Sequence, residues 1–177
     1  PIIHIMRQIN ISTKNIFLTL CGFELTWFTC VIGEYKDLSN IGIIVGLIYL
    51  AVFFYFVADK SESLKICAKF SFIGIFFDSF LSYSELLVIN SNYKIGFIPL
   101  WLVILWFSFS TLFIEILSFL SQKPIIAFLG GFALVPPTYY LGIVLNIATS
   151  SNIFLAMTIM AIFWGSLLCY YSLSKRK

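Results

Sequence analysis

Six apolar stretches, each long enough to cross a lipid hydrocarbon core, alternate with short polar segments along this chain. Windows of about 19 residues place them at 16–33, 41–58, 66–89, 97–120, 124–146 and 152–172. The connections "EYKDLSN", "DKSESLK", "NSNYKIG", "SQK" and "ATSSN" carry the turn and capping residues. Loops this short make sequential helices antiparallel neighbours. The predicted fold class is therefore all-α: a polytopic transmembrane bundle of six helices with short loops, forming a single domain over 16–177. Ahead of it, "PIIHIMRQINISTK" sets Ile2, Ile5, Met6 and Ile9 on one helical face. Residues 1–15 are expected to form an amphipathic segment lying in the membrane interface, with His4 solvated there.

Composition agrees with that pattern. The chain is 60% hydrophobic and 11% charged, whereas soluble domains carry about 25% charged residues. A soluble fold of this size could not cover so much apolar surface, so lipid must be its solvent. The alternating short segments of a membrane barrel are absent. Charge then sets the orientation. Nine of the eleven basic residues fall on the side shared by both termini: Arg7, Lys14, Lys60, Lys65, Lys69, Lys123, Lys175, Arg176 and Lys177. Only Lys36 and Lys94 fall on the other, which predicts cytoplasmic N- and C-termini.

The net charge of +3 is scattered, apart from the short run Lys175-Arg176-Lys177, and implies no nucleic-acid partner. Four cysteines without C-x-x-C spacing and a single histidine imply no metal site and no cofactor. The expected partners are membrane lipids. Gly42 with Gly46, and Ala161 with Gly165, are small-residue pairs that let helices approach closely. They serve packing within the chain, a homo-oligomer or another membrane protein.

Four acids fall inside the apolar stretches: Glu24, Asp78, Glu85 and Glu115. An ionised carboxylate at the bilayer centre costs about 2.5–3.5 kcal/mol on insertion scales, so each needs a proton, a partner or water. Glu115 and Lys69 lie equally deep in neighbouring spans, and an ion pair between them is expected. Glu85, one turn from the outer end of span three, can reach headgroups or Lys94. Glu24 and Asp78 lie near mid-span, where the chain offers no basic residue. Ser71, Gly74, Asp78, Ser82 and Glu85 form a polar stripe on span three, and Ser108, Thr111, Glu115 and Ser118 another on span four. Facing stripes could line a path across the bilayer, or be consumed in interhelical hydrogen bonds.

Span five carries "VPPTYYLG" at its centre. Pro136 removes a backbone donor and clashes with the carbonyl of Phe132, and Pro137 does the same to Ala133. Freed backbone is tolerated in a membrane only inside protein or beside water, and carriers use such breaks to build midplane sites. A packed proline kink satisfies the same constraint. Tyr139 and Tyr140 supply hydroxyls to either arrangement.

The stretches "FELTWFTCVIG", "IGIFFDSFL", "IPLWLVILWFSFSTL" and "VPPTYYLG" resemble a family of small bacterial inner-membrane proteins grouped as domain of unknown function 2878. By position, the resemblance puts the family's span-three aspartate at Asp78, its Pro-Trp at Pro99 and Trp101, and its Pro-Tyr-Gly at Pro136, Tyr139 and Gly142. The chain departs from the pattern at Glu24 (glutamine expected), Val135 (glycine) and Phe113-Ile114 (Asn-His). What the resemblance implies is topology and a bacterial inner-membrane location, not an activity.

On these residues the expected function is a small carrier or substrate-binding membrane subunit. Its site would use Glu24, Asp78, Ser82, Pro136 and Tyr139, with Lys69 and Glu115 as a structural ion pair. Span number and chain length also match the binding subunits of energy-coupling-factor transporters. A lipid-metabolism accessory protein and a structural subunit of a larger complex are the alternatives. No H-E-x-x-H and no second intramembrane aspartate for a protease is present, so catalysis is not expected.

Overall fold

In a Leu-, Ile- and Phe-rich chain, helix formation owes little to intrinsic propensity. Surrounded by lipid, the backbone of "IGIIVGLIYLAVFFYF" can satisfy its polar groups only internally, and the chain obeys. A computed structural model describes the backbone of residues 2–174 and the side chains of 15–174. The helices are α1 (Ile2–Tyr35), α2 (Ser39–Phe56), α3 (Lys60–Tyr83), α4 (Leu100–Ser110), α5 (Leu112–Glu115), α6 (Pro124–Leu134), α7 (Pro136–Val144) and α8 (Ile153–Ser174). A 3-10 turn, Leu117–Leu120, follows α5. The all-α expectation holds. His4 and the run 175–177 lie outside the described side chains.

Among the described residues, four stretches are long and apolar enough to cross a membrane: Asn15–Tyr35, Ser39–Phe56, Pro124–Val144 and Ile153–Ser174. The α3 helix has the length, about 36 Å for its 24 residues, but is diluted by lysine and acid. The α4–α5 stretch, Leu100–Glu115, is apolar and shorter. The outer surface suits lipid, with Phe154 84% and Phe76 77% exposed.

Helix ends are written in local chemistry. The Asp59 carboxylate accepts the Glu62 N–H at 2.9 Å and caps α3. Pro124 and Pro136 open α6 and α7, where a missing N–H costs nothing. Asp37 and Asn146 take φ of 58° and 60° at the ends of α1 and α7. There Leu38 N–H reaches the Gly33 carbonyl and Ile147 N–H that of Gly142, closing Schellman turns.

The third span ends at Tyr83 and not at 89. Glu85 sits beyond it in a turn with φ of 57°, exposed, its carbonyl accepting from Ser151 N–H at 3.3 Å. Four two-residue strands lie around it, two in the expected loops and two where the ends of spans three and four were expected. β1 (Val88–Ile89) pairs antiparallel with β4 (Ala148–Thr149), and β2 (Lys94–Ile95) with β3 (Ile98–Pro99). They close the end of the bundle where α3 and α7 finish and α4 and α8 begin. Glu34, at the end of α1, is buried there and accepts a 3.0 Å hydrogen bond from the Ser91 hydroxyl.

The core lies among α3, α4, α5 and α8. Phe70 stacks on Phe113 at 4.0 Å, Phe77 on Phe163 at 3.6 Å and Trp106 on Trp164 at 4.8 Å. Glycines bring helices into backbone contact: a Cβ on Gly42 would meet the Cys30 backbone, and one on Gly131 the Trp164 carbonyl. Span four, expected as one helix, is interrupted at Thr111 and Ile116 without a proline. Freed carbonyls find partners on α8, where Tyr171 donates to Phe113 O and Ser172 to Leu120 O, each at 2.6 Å. The polar stripes are likewise stitched into the core. Ser71 bonds Ser110 at 2.9 Å, Tyr49 bonds Thr111 at 2.6 Å, and Ser108 donates to its own helix at Ile104 O. The Ser71–Ser110 and Tyr49–Thr111 bonds tie helices together, and Ser108 spends its hydroxyl within its own helix.

Candidate functional site

Gly74 and Asp78 lie one turn apart on the inward face of α3, both buried. Lacking a side chain, Gly74 lets the Trp106 ring of α4 lie against its Cα; a Cβ there would collide with the indole. That placement brings Trp106 Nε1–H to Asp78 Oδ2 at 2.6 Å. The indole is held from behind by its stack on Trp164 and edge-on by Phe109. A second donor arrives from α7. The helix is broken at Val135 between Leu134 and Pro136, and the Val135 carbonyl is capped by the Thr138 N–H at 2.9 Å and the Thr138 hydroxyl at 2.7 Å. One turn into α7, the Tyr139 hydroxyl donates to Asp78, 3.1 Å from Oδ2 and 3.3 Å from Oδ1. Asp78 is 4% exposed, and among the described residues no cation pairs with it. Because α3 ends at Tyr83, Asp78 lies in its last turns and not at mid-span; this buried carboxylate is held by two neutral donors, the arrangement that makes a buried acid bearable without an ion pair.

Trp106 and Tyr139 also line a cavity of about 410 Å³ between α1, α4, α7 and α8. The walls are aromatic: Phe23 and Trp27 from α1, Trp101, Trp106 and Phe109 from α4, Tyr139 from α7 and Trp164 from α8. Ile89 and Ala148, from the β1–β4 pair, close one end. Glu24 also lines it, from an exposed position on α1, and among the described residues is the cavity's one carboxylate. All four tryptophans of the chain meet in this lining. The indole N–H groups of Trp101 and Trp164 are buried without a hydrogen-bond partner.

The residues singled out by sequence divide cleanly. Asp78 and Tyr139 come together directly. Glu24 joins them across the cavity, and Pro136 starts the helix that delivers Tyr139. Ser82 does not belong to the group: its hydroxyl donates to Phe97 O at 2.7 Å in the strand-bearing end. The expected Lys69–Glu115 ion pair is not formed. Lys69 Nζ donates instead to the Tyr170 hydroxyl of α8 at 2.6 Å and lies over its ring. Depth alone matches the pair; the rotation of α3 turns Lys69 toward α8. Sequence reasoning missed Gly74 as the seat of an indole, and missed Trp27, Trp106 and Trp164 as a wall. Of the three tryptophans only Trp27 lies near a mid-span acid in the sequence, and no local pattern marks the others.

A helical membrane protein with an aromatic cavity set against a buried carboxylate is the class these features define. The chain belongs to the family described as protein of unknown function DUF2878, whose profile matches residues 16–170. No curated protein and no solved structure is detectably similar to it.

Proposed function

We propose that the protein is a small carrier or substrate-binding membrane subunit whose site is the aromatic cavity between Glu24 and the Asp78–Trp106–Tyr139 cluster. In this reading the chain crosses a bacterial inner membrane six times, with both termini in the cytoplasm. Beside the four long apolar helices, the α3 helix and the α4–α5 stretch complete the count. Charged α3 can cross because its polar face is turned inward, with Ser71, Gly74 and Asp78 all buried. The basic residues support the orientation.

One observation carries the functional reading. Two acids carried within helices, Glu24 on α1 and Asp78 in the last turns of α3, flank a single cavity, and among the described residues no basic side chain lines it. Here the donors that hold Asp78 are themselves cavity wall, so an occupant would touch the groups that hold the charge. The break at Val135 sits in the same wall, as expected where irregular backbone is admitted to build a site.

Two measurements test this. A fluorescent-protein fusion to the C-terminus should fluoresce, and a phosphatase fusion there should be inactive; the reverse result refutes the orientation. Asp78→Asn and Glu24→Gln, introduced together in a strain depending on the protein, should abolish its transport or growth phenotype at unchanged membrane abundance. Full function in the double variant would remove the site.

A further inference from the structure

We infer that the cavity takes an apolar organic monocation, an aromatic or alkyl amine or quaternary ammonium compound, seated on the aromatic wall with its charge toward Glu24. This rests on the cavity being a binding site and adds the chemistry of what it binds.

The lining selects by exclusion. At about 410 Å³ the space suits one small molecule and not a whole phospholipid, within the usual range of small-ligand pockets. Its one formal charge is negative, since among the described residues no lysine, arginine or histidine lines it. An anion would therefore meet Glu24 with nothing to offset it. A bare metal ion would find too few oxygens: Glu24, Thr138 and Tyr139 supply the only side-chain oxygens of the described lining, short of a hard cation's shell. An uncharged guest would fill the space and leave Glu24 without a counter-charge. A monocation with an apolar body satisfies both features together. Its charge is attracted to the faces of Trp and Tyr rings, and its body replaces water along a wall of rings.

Asp78 sharpens this without touching the ligand. Trp106 Nε1–H and the Tyr139 hydroxyl both donate to it. The faces of Trp106 are taken by Gly74 and Trp164, so it is in Tyr139 that donation to the carboxylate enriches the ring and strengthens its attraction for a cation. Asp78 is then a positioning and tuning residue, and Glu24 the direct counter-ion.

The test uses the full chain in lipid nanodiscs, read by tryptophan fluorescence because every tryptophan lines the cavity. Three probes of one shape are titrated: benzyltrimethylammonium, its uncharged carbon isostere neopentylbenzene, and anionic benzylsulfonate. Saturable quenching by the cation, at least tenfold tighter than by either comparator, is expected. Glu24→Gln should cost the cation at least tenfold and leave neopentylbenzene unchanged; Asp78→Asn should cost the cation severalfold, again sparing the neutral probe. If neopentylbenzene binds the unaltered protein as tightly as the cation does, the inference is overturned. The cavity is then a site for uncharged or acyl groups, and the proposed binding function stands. If none of the three quenches saturably, both readings fall. The ranking of probes on the unaltered protein needs no variant to fold.

Discussion

Glu24 and Asp78 are both carried within helices, Asp78 nearer the end of its own, and the fold treats them in opposite ways. Asp78 is enclosed, its two oxygens claimed by an indole and a phenol, and the indole's position is fixed by a glycine and a stack of rings. Glu24 is exposed on α1 with the cavity on one side of it. The first acid is part of the scaffold, and its chemistry reaches the cavity only through Trp106 and Tyr139. The second meets whatever enters. A carboxylate whose partners are all protein is committed to structure first; one whose partner must come from outside is available for recognition. The difference lies in the elements that pack against each helix. The α3 helix is faced by α4 and α8, which bring bulk, and Asp78 takes its donors from α4 and α7, while α1 packs on α2 and α4 and leaves Glu24 between them and the cavity.

The harshest test of that contrast is to remove the indole. Trp106→Ala deletes the donor to Asp78, the stack on Trp164 and part of the cavity wall. Truncating a buried tryptophan costs about 3–5 kcal/mol, and an enclosed carboxylate is left with one donor. The unfolding temperature in detergent should fall further than for any other single substitution in the cluster. Survival at native stability would mean that Asp78 does not depend on Trp106 and that the two acids are less different than the geometry implies. Gly74→Ala probes the same contact from below. A methyl group against an indole already pinned on its far face costs about 1–3 kcal/mol as overpacking. Combined with Trp106→Phe, which vacates that space, the losses should sum to less than the single effects. Strict additivity would show that the glycine does not seat the ring.

How far these features could be seen in advance depended on what each one costs. Helix positions followed from hydropathy because lipid enforces them, and the acids stood out because charge in hydrocarbon is expensive. The break at Val135 was announced by Pro136. The interruptions at Thr111 and Ile116 were not, since no proline marks them; Tyr171 and Ser172 make them tolerable from 58 and 52 residues away along the chain, out of reach of any local pattern. Trp106 was hidden for a different reason. Among 20 phenylalanines and nine tyrosines, one more aromatic residue in an apolar run carries no signal, and only the helix rotation shows which ring meets Asp78. Lys69 taught the same lesson in reverse: equal depth with Glu115 said nothing about azimuth, and the lysine turned to Tyr170. The two-residue strands at the bundle's end involve too few residues for alternation to register.

Tyr139→Phe asks for a smaller effect. It removes the weaker of the two bonds to Asp78, at 3.1 Å against 2.6 Å for the indole, and keeps the ring in the wall. Hydrogen bonds between membrane helices are worth about 0.6–2 kcal/mol, so stability should fall by less than in Trp106→Ala or Gly74→Ala. A loss equal to that of Trp106→Ala would place the centre of the cluster on α7 rather than on α4.

The finest comparison sets Asp78→Asn beside Glu24→Gln on stability alone. Both exchanges remove a charge and keep the shape. At position 78 the new amide must offer its oxygen to the indole N–H and turn its NH₂ toward the tyrosine, whose hydroxyl then has to accept instead of donate. That rearrangement fits inside the cluster but loses a charge-assisted bond, and a cost of about 1 kcal/mol is expected. At position 24 no protein donor is disturbed, because none among the described residues is engaged, and the unfolding temperature should not move. Equal losses at the two sites would mean that Glu24 has a structural partner after all. Its charge would then be spent within the fold, leaving nothing in the cavity to call for a cation.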